Sequence, residues 1–534
     1  MKAINPFFLT DAYKISHIRQ YPPGTEVVYS NITARKSRID GVDDIVVFGI
    51  QYLLAEYLVS AFNKGFFERE WDSIEAELAE FFDDYFGPGA VDLEPYRQLH
   101  DLGYLPLEIK SLEEGEVCPT GVPFMTIKNT RPEFFWLTNF IETLTQTVLW
   151  NPITCATIAN RYRNLLDDFA EETSDFPDFV AFQGHNFSMR GMSSVETGAV
   201  TDMAHLTSFN GSDTLTGNVL AREYYSPILE YISGSVCATE HAVMCAGGKD
   251  DERETFRRLI QDVYPSGVVS IVSDTWNLWD VLTKIAPSLR SEIEARDGKV
   301  VFRPDSGDPV KIVCGYKVKH AESLPSSRSQ WEAWYEDGYD AICTEDGNYF
   351  DERGRSLSVE EVKGCVHLLY EHFGGEVNSK GYIELNPRVG LIYGDSITFE
   401  RAHQICSKLR DSGFASTNIV FGIGSYTYQY NTRDTFSIAC KATWVRMKGD
   451  DENGRAIFKA PVTDDGTKNS ASGLLSVYMK DDGALGVGQN VTPQAEASFN
   501  LLSTVFLDGN ITRKTNLGEV REKLRRRRNE RSNG

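Results

Sequence analysis

The chain reads as an α/β protein with a parallel arrangement of strands, and three observations predict it. Short apolar runs recur from about Asp178 onward, each run ends in glycine, serine or a charged residue, and segments of helical periodicity lie between them. Val268-Val269-Ser270-Ile271-Val272 leads into Ser273-Asp274, and Val300-Val301-Phe302 into Arg303-Pro304-Asp305-Ser306-Gly307. Leu391-Ile392-Tyr393 leads into Gly394-Asp395-Ser396, and Ile419-Val420-Phe421 into Gly422-Ile423-Gly424-Ser425. Strands buried on both faces read as continuous apolar runs, which is the mark of a parallel sheet covered by helices. In a barrel the polar residues at the carboxyl ends of such strands converge, and active sites are built there.

The other segments fit around this unit. With 534 residues, 41% of them hydrophobic, the chain exceeds one simple core, so two closely packed domains are expected. Residues 1–150 mix strand-like runs such as Glu26 to Ser30 with helices. One helix is predicted over Glu133 to Trp150, where Phe134, Leu137, Ile141, Leu144 and Val148 follow Pro132 at helical spacing. Residues 151–433 hold the parallel unit, interrupted at about 319–364 by an acidic insertion whose turn signals predict small hairpins. Residues 434–534 are expected to pack back beside the first part, giving a mixed α+β domain from both chain ends.

Charge and composition exclude several classes. Lys and Arg number 54 against 77 Asp and Glu, a net charge of -23, so a nucleic-acid surface spread over the whole protein is excluded and any phosphate must meet a local basic pocket. The one basic run, Lys523 to Arg528, is read as a solvated, frayed terminus in preference to a nucleic-acid arm. No apolar run reaches the ~18 residues of a membrane helix, and the first residues lack a signal peptide's pattern, so a cytoplasmic protein is expected. Nine cysteines without a CxxC pair fit reduced, mostly buried thiols.

Three segments carry candidate chemistry. Neither a Walker loop nor a dinucleotide fingerprint is present, since Gly422 and Gly424 lack a third glycine at position 427. In Arg303-Pro304-Asp305-Ser306-Gly307-Asp308-Pro309 a forked cation and a carboxylate share one strand-end turn. Arg303 can hold a phosphate and Asp305 a ribose hydroxyl or a metal-bound water, while an ion pair that only closes the loop explains the pattern equally. In Ser235 to His241 a histidine beside Glu240 opens a helix of small residues, and Asp274 bonded to one ring nitrogen would leave the other nucleophilic. In His185 to Gly198, followed by Asn210 to Thr214, Phe187 can stack on an aromatic ring or belong to the core. Arg190 can hold a polar substituent there, and Asp213 can accept from an amide NH2.

Together these segments resemble the nicotinate/nicotinamide phosphoribosyltransferase family over nearly the whole chain. The resemblance rests on Thr-Asp-Ala-Tyr-Lys-Ile-Ser-His at 10–17, Gln-Tyr-Pro-Pro at 20–23, Phe-Gly-Ile-Gln-Tyr at 48–52 and Trp-Leu-Thr-Asn at 136–139. It continues in order through Phe187 to Gly198, Gly-Ser-Asp-Thr at 211–214, Glu240-His241, Ser273-Asp274, Arg303 to Gly307, Asn-Ser-Lys-Gly-Tyr at 378–382, Gly394-Asp395 and Thr432-Arg433-Asp434. It implies an irregular α/β barrel of the phosphoribosyltransferase type, joined to the mixed domain, in a homodimer with shared active sites.

The activity it implies is transfer of the ribose of phosphoribosyl pyrophosphate to nicotinamide, with ATP as coupling substrate, in NAD salvage. Tyr13 of one protomer and Phe187 of the other would sandwich the pyridine ring, with Arg190 and Asp213 at its carboxamide and Ser235, Val236 and Ser270 lining the pocket. Arg303, Asp305, Gly394 and Asp395 would take the ribose and 5-phosphate, with Gly424, Ser425 and Arg433 nearby. Arg35, Lys441, Lys459 and Lys468 would serve pyrophosphate or ATP, and Mg2+ would be held mainly by the substrate phosphates. His241 corresponds to the family's phosphorylated histidine and Asp274 to its carboxylate partner. Two departures stand out: Ser425-Tyr426 replaces further glycine after Gly424, and the 319–364 insertion exceeds the compact animal form. The competing readings are a nicotinate-using sister enzyme and a non-catalytic binding protein on the same fold.

Overall fold

The computed structural model describes residues 4–226, 231–322, 324–325, 327–336, 338–394, 396–460, 463 and 471–532. Seven parallel strands form one curled sheet in the order Gly211–Ser212, Gly184–Asn186, Ile419–Ile423, Val389–Tyr393, Asp297–Arg303, Ser266–Val272 and Cys237–Ala238. Each apolar run of the sequence falls on one of these strands, and Val389–Tyr393 is buried at every position. A single parallel bridge between Gly211 and Gly234, three residues before Cys237, brings the two edges together. It consists of Ser212 N–H donating to Gly234 O at 3.2 Å and Gly234 N–H donating to Asn210 O at 2.9 Å. The sheet thereby closes into an irregular barrel, which removes its exposed edges.

A second seven-stranded sheet, antiparallel throughout, is shared by the two ends of the chain. Thr25–Ala34 lies between Pro123–Asn129 from the N-terminal part and Ile438–Met447 from the C-terminal part, and Ser503–Leu507 pairs with Leu107–Ser111. The fold is therefore a barrel plus a mixed domain made from both ends, as expected.

The helix predicted over Glu133 to Trp150 differs in its bounds. It is a 3-10 turn at Pro132–Phe134, a short helix at Leu137–Phe140 and then a helix from Glu142 to Thr173 that runs on through Pro152. An interior proline removes one helical hydrogen bond and costs about 3 kcal/mol. Here the burial of Val148, Leu149, Ile153, Ala156 and Ala159 around it outweighs that local signal.

The insertion forms a four-stranded sheet, Val318–Ala321, Ala341–Thr344, Tyr349–Asp351 and Ser356–Leu357. Its last three strands are the expected hairpins. The first pairs in parallel with the second across the helix Arg328–Glu336, which the sequence reading did not anticipate. Lys311 with Glu352 at 3.0 Å, and Lys408 with Asp340, tie it to two barrel helices.

The basic tail is a correction. It is a helix, Leu517–Ser532, with Leu517, Val520 and Leu524 buried against the protein. Arg528 is buried, 3.2 Å from Asp167 and donating to Asn160 at 3.0 Å. Arg521 donates to the carbonyls of Leu206 at 2.7 Å and Ile232 at 2.6 Å, on the segments that flank the barrel closure. Of the nine cysteines six are buried. Among the described residues no helix is long and apolar enough to cross a membrane.

Removing one partner from buried hydrogen bonds leaves the other unsatisfied, at about 1–3 kcal/mol. Arg521→Ala is therefore expected to lower stability by about 2–3 kcal/mol, read as an earlier urea midpoint. An unchanged midpoint would mean that the tail helix does not brace the barrel.

Candidate active site

The carboxyl ends of the parallel strands deliver the candidate residues to one place. Asn186 is followed by Phe187, Ser212 by Asp213, Val272 by Ser273 and Asp274, Tyr393 by Gly394 and Ile423 by Gly424, while Arg303 ends its own strand. Side chains alternate along a strand, so Lys299 and Val301 project to the same inner face as Arg303. They line a cavity of about 1180 Å3 that also meets His185, Phe187, Asp213, Ser235, Val236 and Ser270. Ser270 is buried, and its hydroxyl has no hydrogen-bond partner among the described residues.

Asp213 is the best-defined group in this cavity. His185 Nε2 lies 3.2 Å from its Oδ1, and the Ser235 hydroxyl donates to the same oxygen. Burial pushes the carboxyl up, but the hydrogen bonds from His185 and Ser235 and the charges of His185 and Arg303 outweigh it and hold Asp213 below the usual aspartate range. The cavity therefore presents a fixed negative charge beside an aromatic ring. Phe187, whose N–H donates to Ile423 O at 2.9 Å, holds its ring 4.7 Å from the His185 imidazole at an angle of 36°.

Around Arg303 the geometry separates the two readings of its turn. Arg303 makes no ion pair with Asp305 among the described residues; it donates to Thr239 O at 2.8 Å, and its Nε is buried without a partner. The turn is held instead by Asp274, whose Oδ2 accepts from the N–H groups of Asp305 at 2.8 Å and Ser306 at 2.7 Å. Burial lowers the Arg303 pKa, the carboxylates of Asp305, Asp213 and Asp274 oppose that, and the exposed Arg190 adds like-charge repulsion. Arg303 thus lies near enough to Asp213 and Arg190 for their charges to reach it.

His241 opens the helix His241–Gly247 as expected, but its partners differ from the expectation. Nδ1 is 3.1 Å from the Thr275 hydroxyl, while Nε2 faces Asp305 at 3.7 Å and Asp274 at 4.0 Å, both beyond hydrogen-bond distance. Asp274 Oδ2 is occupied with the backbone of the turn and its Oδ1 faces Nε2, while Thr275 meets the other ring nitrogen and orients the imidazole. The side chain is 45% exposed, with Nε2 toward the carboxylates.

The phosphate end rests on close backbone approach. A Cβ on Gly394 would lie 2.5 Å from Asp305 Oδ1 and 3.3 Å from Arg303 Cδ, so only glycine lets that loop reach the Arg303 turn. Gly424 caps the helix Ser425–Gln429. A Cβ on Gly191 would lie 2.0 Å from the Ser425 hydroxyl, so Ser425 packs onto the loop that carries Arg190. Tyr426 turns to the surface beside Tyr430, ring centroids 4.7 Å apart, so its bulk lies with Tyr430. Asp395 and Lys468 lie outside the described residues.

The remaining expected residues form a second group on the mixed domain. Tyr13 is 59% exposed, beside His17 and above Lys14, which pairs with Glu142. Arg433 meets Asp434 at 2.8 Å and Gln146 at 3.4 Å, Arg35 donates to Ser437 O at 3.2 Å, and Lys441 stands opposite Asn31. Lys459 follows on the exposed segment after Arg455–Ala456. Within one chain, among the described residues, no hydrogen bond or ion pair joins Tyr13, Arg35 or Lys441 to Phe187 or Asp213.

Comparison with known proteins bears on what this arrangement is. Residues 182–510 match the nicotinate phosphoribosyltransferase family, and residues 5–92 match the N-terminal domain of nicotinamide phosphoribosyltransferase. A nicotinamide phosphoribosyltransferase of Acinetobacter baylyi is 45% identical, covering 98% of this chain and 97% of that protein. Those of Mycoplasma pneumoniae and Xanthomonas campestris are 33% and 32% identical, covering 88% and 96% of this chain and 96% of each relative. Among solved structures, nicotinate-nucleotide pyrophosphorylase from Pyrococcus furiosus superposes with a TM-score of 0.55 at 13% identity, covering 98% of this chain and 95% of that one. Human nicotinic acid phosphoribosyltransferase gives 0.51 at 14%, covering 97% and 93%. At these identities the structures speak for the fold alone. With a family match over most of the barrel and relatives aligned along nearly its whole length, the chain belongs to the nicotinate phosphoribosyltransferase family and is a phosphoribosyltransferase.

Proposed function

We propose that the protein joins nicotinamide to the ribose of phosphoribosyl pyrophosphate, forming nicotinamide mononucleotide and pyrophosphate. The observation that carries this reading is the ionised Asp213 carboxylate, held by His185 and Ser235 beside Phe187. A carboxylate accepts a hydrogen bond from a carboxamide NH2 but repels the carboxylate of nicotinate, so the pocket favours the amide over the acid. Arg303 and Arg190 can donate to the carboxamide oxygen or a phosphate.

In the reaction the pyridine nitrogen attacks the anomeric carbon, a C–N bond forms, and the C–O bond to pyrophosphate breaks. The attacking nitrogen carries no proton, so no general base is required. Ring stacking on Phe187 orients the nucleophile, and fixed cations meet charge growing on the leaving group. Among the described residues no cluster of His, Cys, Asp and Glu is arranged to cage a metal. Mg2+ on the substrate phosphates would neutralise the leaving pyrophosphate, and Asp305, partly exposed beside Arg303, is the carboxylate placed to meet it or a ribose hydroxyl.

The finer reading has three further parts. ATP passes its γ-phosphoryl group to Nε2 of His241, releasing ADP, while Thr275 holds Nδ1. The phosphohistidine adds negative charge beside Asp274 and Asp305, where it orders pyrophosphate and Mg2+ before hydrolysis to phosphate. The protein acts as a homodimer, in which the exposed Tyr13 of one protomer covers Phe187 of the other, while Arg35, Lys441, Lys459 and Lys468 would serve the pyrophosphate or ATP and Arg433 the ribose and phosphate side. Asp395 would complete the ribose contacts. NAD salvage in the cytoplasm is the proposed setting.

Two measurements check this. Purified protein supplied with phosphoribosyl pyrophosphate and Mg2+ is expected to make mononucleotide from nicotinamide in preference to nicotinate, and faster when ATP is added. Preference for nicotinate would move it to the sister activity, and no turnover with either would favour the binding-protein reading. His241→Ala is expected to reduce the stimulation by ATP more than the rate without ATP; equal loss in both would remove His241 from the phosphoryl step.

A further inference from the structure

Behind the pocket lies a buried carboxylate that the reaction above does not use. Asp202, on the helix Val195–His205, is fully buried. Its Oδ1 accepts from the Asn186 side-chain amide at 2.6 Å and from the Ser212 hydroxyl at 2.6 Å. Its Oδ2 is buried and has no partner among the described residues. Burial, and next the pull of these donors and the repulsion from Asp213, leave its pKa at about 7, so the site retains a costly group where an apolar residue would fill the space.

What the carboxylate holds explains its retention. Asn186 and Ser212 end two neighbouring parallel strands, and the residues that follow them are Phe187 and Asp213. Asn186 also accepts from Ser188 N–H at 3.0 Å through its side chain, and from Asp213 N–H at 3.1 Å through its carbonyl. Ser212 Oγ accepts from Thr214 N–H at 2.9 Å. One turn further along the same helix, His205 Nε2 lies 3.1 Å from Gly211 O and its Nδ1 lies 2.8 Å from the Tyr428 hydroxyl. Burial drops the His205 pKa to about 3, so the ring is neutral, with Nε2 donating to the carbonyl and Nδ1 accepting from Tyr428. The helix thus grips the two strands at two points, and the Asp202 point is the one directly behind Phe187 and Asp213.

We infer that Asp202 is a positioning residue for pyridine binding: by clamping Asn186 to Ser212 it fixes the spacing of Phe187 and Asp213. This rests on the reading of that pocket as the pyridine site. The clamp acts on the ring and its substituent, not on the cations and glycines that meet the phosphates. Its loss therefore loosens one substrate and leaves the other.

The test is steady-state kinetics of the full-length protein, with wild type, Asp202→Ala, Asp202→Asn and Ser212→Ala run side by side. Wild-type turnover of nicotinamide checks the parent reading separately; if nicotinate proves to be the substrate, the same comparison is made with it. Asp202→Ala is expected to raise KM for the pyridine by about 10-fold or more while KM for phosphoribosyl pyrophosphate stays within about twofold. Asp202→Asn, which keeps one acceptor oxygen for both donors, is expected to recover most of that loss. Ser212→Ala, which removes the bond to Asp202 together with the Thr214 N–H contact but leaves the carboxylate in place, raises the pyridine KM by about three- to tenfold and secures the test if Asp202→Ala does not fold. Equal rises in both KM values, a fall in kcat alone, or a Ser212→Ala variant with unchanged pyridine KM would overturn the inference.

Discussion

The arrangement depends on keeping a carboxylate charged inside a barrel. Burial alone would drive Asp213 toward its neutral form, and a neutral acid could both donate and accept, so it would distinguish poorly between an amide and an acid. His185 and Ser235 converge on the same oxygen and reverse that tendency. For this the three residues must come from three separate strands or loops and meet to within about an ångström, which the barrel's closure at Gly211 and Gly234 makes possible. The tail helix, through Arg521, and the Val195–His205 helix, through Asp202 and His205, both brace that closure from outside.

The phosphate side follows a different rule. There each polar group keeps one atom without a hydrogen bond among the described residues: Arg303 Nε and Asp274 Oδ1 are buried without partners, and His241 Nε2 stands beyond hydrogen-bond distance from two carboxylates. A reaction that passes charge from ribose to pyrophosphate is helped by donors and charges held in place in advance. Among the described residues no hydrogen bond or ion pair joins Tyr13, Arg35 or Lys441 to Phe187 or Asp213.

Much of this was legible in the residues because the parallel strands are buried on both faces. Continuous runs such as Val268 to Val272 and Leu391 to Tyr393 announced strands, and the polar residues after them announced a converging site. What escaped was non-local. Pro152 signals a helix end on its own, and only tertiary burial overrides it. Arg525 and Arg526 of the tail are exposed as the sequence suggests, but Arg521 and Arg528 look solvated until Asp167, Asn160 and the carbonyls of Leu206 and Ile232, all distant in sequence, are placed around them. The same holds inside the site. Asp274 faces His241 Nε2 through Oδ1 as its spacing suggests, but its Oδ2 also holds the Asp305 turn and Thr275 takes the other ring nitrogen, roles that spacing does not resolve. His185 lay two positions before Phe187, the alternation that puts both on one face of a strand, and that signal was available.

The measurement that tests the central claim most directly is the ratio of kcat/KM for nicotinamide over nicotinate, in the wild type and in Asp213→Asn. Replacing the carboxylate by an amide of the same shape removes the repulsion of nicotinate while keeping an acceptor oxygen. The account predicts that the ratio falls by about 10-fold or more, chiefly through better use of nicotinate. A ratio unchanged by the substitution would contradict it, and would mean that the charge anchored by His185 and Ser235 does not choose the substrate.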